Sequence, residues 1–504
     1  MKYFSLIITL SLCLSCANAQ KVKDYSTDIP KREFRGAWMQ CVNGCYLGKS
    51  MSQIRTMLRN QLDALKRAGI NAIFFQVRPE GDALYKSHFE PWSRFLTGQQ
   101  GTPPEDGWDP LQWMIGQCHE RGMECHAWIN PYRMKTKNTN ELAVTHPAIK
   151  HPDWIVKYGD LFILNPALQQ ARDYTCIVVE DIIDNYDVDG IHIDDYFYPY
   201  PETGVVFDDE RFFRSDSRGF NDLADWRRDN VNRLIHQLHD MVRQTKPWIK
   251  FGVSPFGIYR NDKSGNNTKF GSATNGLQNY DQLYADVVKW QQEGWVDYLI
   301  PQVYWNFGFK VADYGVLLNW WNDYCSNRPI FIGQDIERTV KEEDPNNPGR
   351  HQMEAKYELQ RQLPHIQGSC QWYAAALEQN LGNYATVLEQ KYHRFAALQP
   401  EMKFISTKKP AKPKGLKVEV NGKLTTLKWI KDNAKDEMKR AIWYVIYDFK
   451  PGQEINIGDP RHIRTITREN SVTLAGDFTS HTIVLTALNH IQNESKPAII
   501  NIKY

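Results

Sequence analysis

From Arg32 to about Pro400 the chain alternates short apolar runs with longer amphipathic ones. The short runs are Phe34–Cys41, Ala72–Val77, Glu124–Ile129, Gly190–Asp194, Lys250–Ser254, Tyr298–Val303, Ile330–Ile332 and Cys370–Ala376. Their length and continuous apolar character predict strands buried on both faces. The longer runs between them carry helical spacing. Ile54, Met57, Leu58, Leu62 and Leu65 recur on one face, and Gly69 supplies a stop. Val231, Leu234, Leu238 and Met241 repeat the pattern, and residues 170–186 form a third such stretch.

Eight strands alternating with helices predict a (β/α)8 barrel over residues 32–400. Several segments that follow strands are long: 78–108, 130–168, 196–220 and 257–280. They belong on the C-terminal face of such a barrel, where its sites are built. After Pro400 the pattern changes. Residues 401–414 read as a Pro/Lys linker, and 415–504 alternate with the period of strands, with a hairpin turn at Asn421-Gly422. This part predicts a small β-sandwich. Its Trp429, Tyr447 and Ala487-Leu488-Asn489 resemble a fibronectin type III domain, with a spacer or packing role.

The first twenty residues add a destination. Lys2 is followed by an apolar stretch from Phe4 to Leu14, and small residues come next, as in a secretory signal. Two processing routes fit. Ala17-Asn18-Ala19 suits cleavage before Gln20, and Leu14-Ser15-Cys16 resembles a lipoprotein signal that leaves a lipid, and so membrane attachment, on Cys16. Either route exports the protein, to the periplasm or as an outer-membrane lipoprotein. The formal charge of +2 over 504 residues gives no reason to expect a nucleic-acid partner. Seven cysteines outside the signal are scattered and odd in number, so they read as buried thiols rather than a disulfide framework. The 16 Trp and 25 Tyr fit a large core, and also platforms for sugar rings.

The ends of the predicted strands gather the chemistry. In Gly190–Asp195, alternation turns Ile191 and Ile193 outward and His192 and Asp194 into the barrel. Asp194 is then the last inward residue of its strand, and Asp195 turns away at the junction with the loop. Other strand ends carry Arg78, Glu80, Asp82, His126, Trp128, Asn130, Ser254, Gln302, Tyr304 and Trp305, and Tyr196 follows Asp195. Acids, amides and aromatics on one rim suit glycoside hydrolysis, which needs two carboxyl groups at the scissile bond. Asp194 is the expected nucleophile or base. The acid is open among Glu80, Asp82, Asp195 and Asp335. Trp128, Tyr196, Tyr198, Tyr304 and Trp305 can stack on sugars, and Arg78, Asn130 and Gln302 can bind hydroxyls.

The segments EFRGAWMQ, FQVRPEGDALYKSHFEPWSRFLTG, ECHAWINPYR, DGIHIDDYFYP, KFGVSPFGIYRN and DYLIPQVYW, in this order over about residues 32–340, resemble the bacterial glycosyl-hydrolase-like ten family. The resemblance implies an exported (β/α)8 glycosidase acting on bacterial glycans, at least some members cleaving peptidoglycan strands that have lost their peptides. It implies Arg78, Asp82, His126, Asn130, Asp194, Asp195, Ser254 and Gln302 as site residues. No cofactor or metal is expected, since no Cys/His cluster has zinc spacing. Two other readings use the same rim. One is a barrel that binds glycan without turnover, because the fifth strand offers no carboxylate. The other is a metal-dependent polysaccharide deacetylase with His126, His192, Asp194 and Asp195 as ligands, although no metal-binding spacing supports it.

Overall fold

The computed structural model describes residues 29–262 and 270–502, so the signal segment and Cys16 lie outside the described residues. Eight parallel strands close into a barrel: β1 (Phe34–Met39), β2 (Ala72–Arg78), β3 (Glu124–Ile129), β4 (Gly190–Ile193), β5 (Lys250–Val253), β6 (Tyr298–Leu299), β7 (Ile330–Asp335) and β8 (Ile366–Trp372). Each pairs with its neighbours in sequence, and β8 closes on β1 through Phe34 opposite Gly368.

Alternation sorts the side chains into two cores. Phe34, Trp38, Phe74, Trp128, Tyr298, Phe331 and Cys370 fill the barrel interior. Ile73, Phe75, Ile191, Ile193 and Val253 face the helices. Helix α1 (Met51–Arg67) shows how the sequence makes the outer layer. Ser50 and Gln53 form a capping box at its start, and Ile54, Leu58, Leu62 and Leu65 are buried. Gly69 follows with φ +76°, and a Cβ there would lie 2.6 Å from that of His393, so only glycine fits. Helices α2 (Pro110–Glu120), α3 (Gln169–Asn185) and α4 (Leu223–Thr245) occupy the expected stretches.

Two strands differ most from expectation. β6 ends at Leu299, since Pro301 has no N–H to donate and only Gln302 bridges onward. β8 begins four residues early, because the polar Gln367 and Ser369 do not read as a strand. Ser369 is buried and shares a hydrogen bond with the Tyr357 hydroxyl at 3.2 Å, while Ala374–Glu378 is helix.

The C-terminal part consists of a three-stranded and a four-stranded antiparallel sheet around one core, including Leu427, Tyr444, Ile446, Leu474 and Leu485. It packs on the base of the barrel. Gln492 donates to Glu124 at 2.7 Å, and Glu124 is paired with Lys250 inside the barrel at 2.5 Å. Arg468 reaches Asp187 at 2.7 Å and Asp189 at 2.9 Å. The expected linker is part of this contact. Met402 is buried in the barrel's inner core, and the Asn489 and Asn493 side chains bond backbone carbonyls of residues 406 and 408. Lys and Pro composition hides these backbone bonds. The seven described cysteines are free thiols. No helix among the described residues is long and apolar enough to cross a membrane.

Candidate active site

A cleft of about 750 Å3 opens at the C-terminal mouth of the barrel. Gln76, Trp128, Asp194 and Trp372 come to it from strand ends. The loop after β3 adds Arg133, Thr136 and Lys137, and the loop after β4 adds Tyr196, Tyr200 and Glu202. Tyr158, Leu161 and Ile163 close one side from a small antiparallel sheet inserted between β3 and β4.

Asp194 sits at the floor, 4% exposed. Its Oδ2 accepts from Trp128 Nε1 at 3.2 Å and from Asn130 Nδ2, and the Tyr196 amide approaches Oδ1 at 3.4 Å. Burial pushes its pKa up to about 7, Asp195 adds to the rise, and Arg133 and the donors oppose it. Asn130 is oriented in turn, its Oδ1 accepting from Gln76 at 3.0 Å and Arg133 at 2.7 Å.

Asp195 faces away from the cleft, as alternation requires. It accepts from the Tyr200 hydroxyl, and burial raises its pKa against the opposing effect of Tyr200 and Gln302. The Tyr200 ring stacks on Tyr196 at 5.4 Å, and both rings line the cleft. Gln302 donates to the Ser254 carbonyl at 2.9 Å, and Ser254 Oγ meets His192 Nε2 at 3.0 Å beneath the floor.

Several expected residues have other partners. Glu80 is buried, and burial alone would raise its pKa. Arg94 at 3.0 Å, Thr136 and Thr139 outweigh that and hold it below the usual carboxylate range. Its charge secures the loop after β3 to the segment after β2. Asp82 is sealed off from the cleft, accepting from the Glu80 amide and Gln100, and burial with the Glu80 charge pushes its pKa up to about 7. Arg78 is fully buried, forked onto Glu90 at 2.6 and 2.8 Å, with Nη1 on the Asn130 carbonyl at 2.5 Å. His126 lies deeper, between Tyr298 and Glu124 at 3.0 Å each. Tyr304 packs beside Trp372 rather than lining the cleft. Trp305 lines a separate depression with Phe307 and Phe309. Asp335 caps the helix Ile336–Lys341 through the Arg338 amide at 2.9 Å. Among the described residues, no group of three or more His, Cys, Asp or Glu is placed to hold a metal.

Arg133, Lys137, Tyr200, Glu202 and Trp372 are cleft residues that strand-end reasoning passes over. Four lie in the long segments that follow barrel strands, where the alternation of the barrel has no force, and Arg133 opens a short strand of the inserted sheet. Trp372 lies at the end of the strand whose boundary polar residues hide.

Sequence comparison places these features among known proteins. The family described as Glycosyl hydrolase-like 10 matches residues 33–348. "Glycosyl hydrolase YngK" of Bacillus subtilis (strain 168) is 36% identical over 482 residues, covering 92% of each chain. "Glycosyl hydrolase DigH" of Escherichia coli (strain K12) is 36% identical over 327 residues, 62% of this chain and 73% of that one. Among solved structures, the glycoside hydrolase domain of PgaB (BpsB) from Bordetella bronchiseptica aligns over 71% of this chain and 98% of its own, at 10% identity and a TM-score of 0.42. With the family match spanning the eight-stranded barrel up to β7 and the cleft it supports, the chain belongs to the glycosyl hydrolase-like 10 family.

Proposed function

We propose that this protein is an exported glycoside hydrolase that cuts O-glycosidic bonds in a bacterial envelope glycan, namely peptidoglycan strands stripped of their peptides. The observation that carries the reading is Asp194, a carboxyl group buried at the floor of an aromatic-walled cleft, where burial pushes its pKa up to about 7. Two relatives named as glycosyl hydrolases support it, as does the N-terminal signal pattern.

The sequence alone suggests Asp194 as nucleophile or base. Its burial favours the opposite role. A carboxyl group with a pKa of about 7 is partly protonated at neutral pH and can deliver that proton to the leaving oxygen. Asn130 and Trp128 fix Oδ2, which leaves Oδ1 to carry the proton. Asp195 acts as a positioning residue through Tyr200. Glu202 supplies the second carboxylate, exposed on the same cleft, to draw a proton from the attacking water. Trp128, Tyr196, Tyr200 and Trp372 offer faces to sugar rings.

An acid works only while protonated, so kcat/KM should fall as pH rises through about 7. A pH–rate profile on peptide-free strands tests this, and a plateau extending to strongly alkaline pH would refute the assignment. Glu202→Gln should lower kcat on the strands by about 100-fold or more. Aryl glycosides with different leaving groups provide the check: loss of a base slows good and poor leaving groups alike. Release of new reducing ends from peptide-free strands, but not from neutral polysaccharides, tests the substrate class.

A further inference from the structure

Among the described residues three cations line the cleft, and they are not equivalent. Arg94 is held by Glu80 at 3.0 Å and bonds Thr139. Arg133 has no such partner. It donates from Nε to the Pro79 carbonyl at 2.8 Å and from Nη2 to Asn130 Oδ1 at 2.7 Å, both neutral groups. Its guanidinium lies 5.0 Å over the Tyr196 ring, which fixes its plane. Among the described residues, Arg133 makes no ion pair and its Nη1 has no hydrogen-bond acceptor. Lys137, four residues along the same loop, is exposed and likewise without an ion pair among the described residues.

A half-buried guanidinium braced by neutral acceptors, with one edge free towards a cleft, is prepared for an anion that comes with the ligand. We propose that Arg133 and Lys137 form a subsite for a carboxylate carried by the sugar, placed beside Asp194. Arg133 Nη1 donates to one carboxylate oxygen, and Lys137 adds a mobile charge. The inference rests on the substrate reading given above and extends it. Each muramic acid residue bears a lactyl ether. In a peptide-bearing strand the lactyl carbonyl is an uncharged amide with a bulky substituent. Once the peptide is gone it is a free carboxylate. The subsite thus gives a physical reason for choosing bare strands. A uronic acid carries the same group on a different sugar.

The test compares initial rates of wild type, Lys137→Ala and Arg133→Gln on three substrates: peptide-free strands, the same strands with their carboxylates converted to primary amides, and a uronate polysaccharide. Amidation should lower wild-type kcat/KM about tenfold or more, mainly through KM. Lys137→Ala should lose several-fold on the native strands and nothing further on amidated ones, because the same interaction is already gone. Arg133→Gln should lose more on native strands than on amidated ones, with a residual loss on both because Arg133 also braces Asn130 and lowers the Asp194 pKa. Preferential cleavage of the uronate would keep the subsite and assign its carboxylate to a uronic acid. Equal wild-type rates on native and amidated strands would overturn the subsite and leave the hydrolase standing. Wild type that cuts none of the three would overturn the substrate reading, and the subsite with it.

Discussion

Asp194→Asn is expected to lower kcat on peptide-free strands by about 10²–10⁴-fold or more while leaving KM within a few-fold. The substitution is nearly isosteric. The amide oxygen of the new side chain can still accept from Trp128 Nε1 and Asn130 Nδ2, so the floor of the cleft should keep its shape. What the variant loses is the exchangeable proton. Steady-state kinetics separate the two effects, because a residue that merely shapes the cleft would raise KM. A variant with an unchanged kcat would remove Asp194 from the chemistry.

Arg78→Met is expected to cost about 3–5 kcal/mol of stability, the usual penalty for stripping one partner from a buried ion pair. Arg78 and Glu90 both have side chains that are 0% exposed. Without the guanidinium, Glu90 keeps the Tyr174 hydroxyl at 3.2 Å, which cannot replace a positive charge. The Asn130 carbonyl also loses its donor. A urea unfolding curve measures the loss, and adding Glu90→Gln should recover part of it, since no buried charge then remains. If Arg78 bound sugar hydroxyls instead, its removal would leave the unfolding midpoint in place and raise KM.

Arg78 also shows where the sequence stops being legible. The barrel was readable because eight apolar runs separated by helical spacing admit few other folds, and because alternation along β4 points Asp194 inward without ambiguity. A strand end, however, states only the direction in which a side chain leaves. It does not say whether a partner waits there. Glu90, twelve residues on in a loop, turns Arg78 from a candidate ligand into a buried brace. Arg94 and two threonines do the same to Glu80. His126, expected at the rim, is held well below the mouth by Glu124, two residues before it.

The cleft walls were harder still. Tyr200 and Glu202 sit on loops and Arg133 opens a three-residue strand of the inserted sheet, and distant contacts set the path of each. The Tyr158 hydroxyl accepts from the Glu202 amide at 2.7 Å and donates to the Tyr200 carbonyl at 3.2 Å, linking the loop after β4 to the inserted sheet. No periodicity records such a link. The segment 401–414 failed to read for a related reason, since its composition resembles a tether while its carbonyls are taken up by Asn489 and Asn493.

The proposed hydrolysis of bare peptidoglycan strands in this cleft depends on Asp194. Mass spectrometry of such strands, incubated with the purified wild-type protein and with Asp194→Asn in parallel, tests it most directly. The expected result is a ladder of shorter strands from wild type, each product pair heavier by one water than the parent, and intact strands from the variant. Intact strands with both proteins, or equal shortening by both, would contradict it.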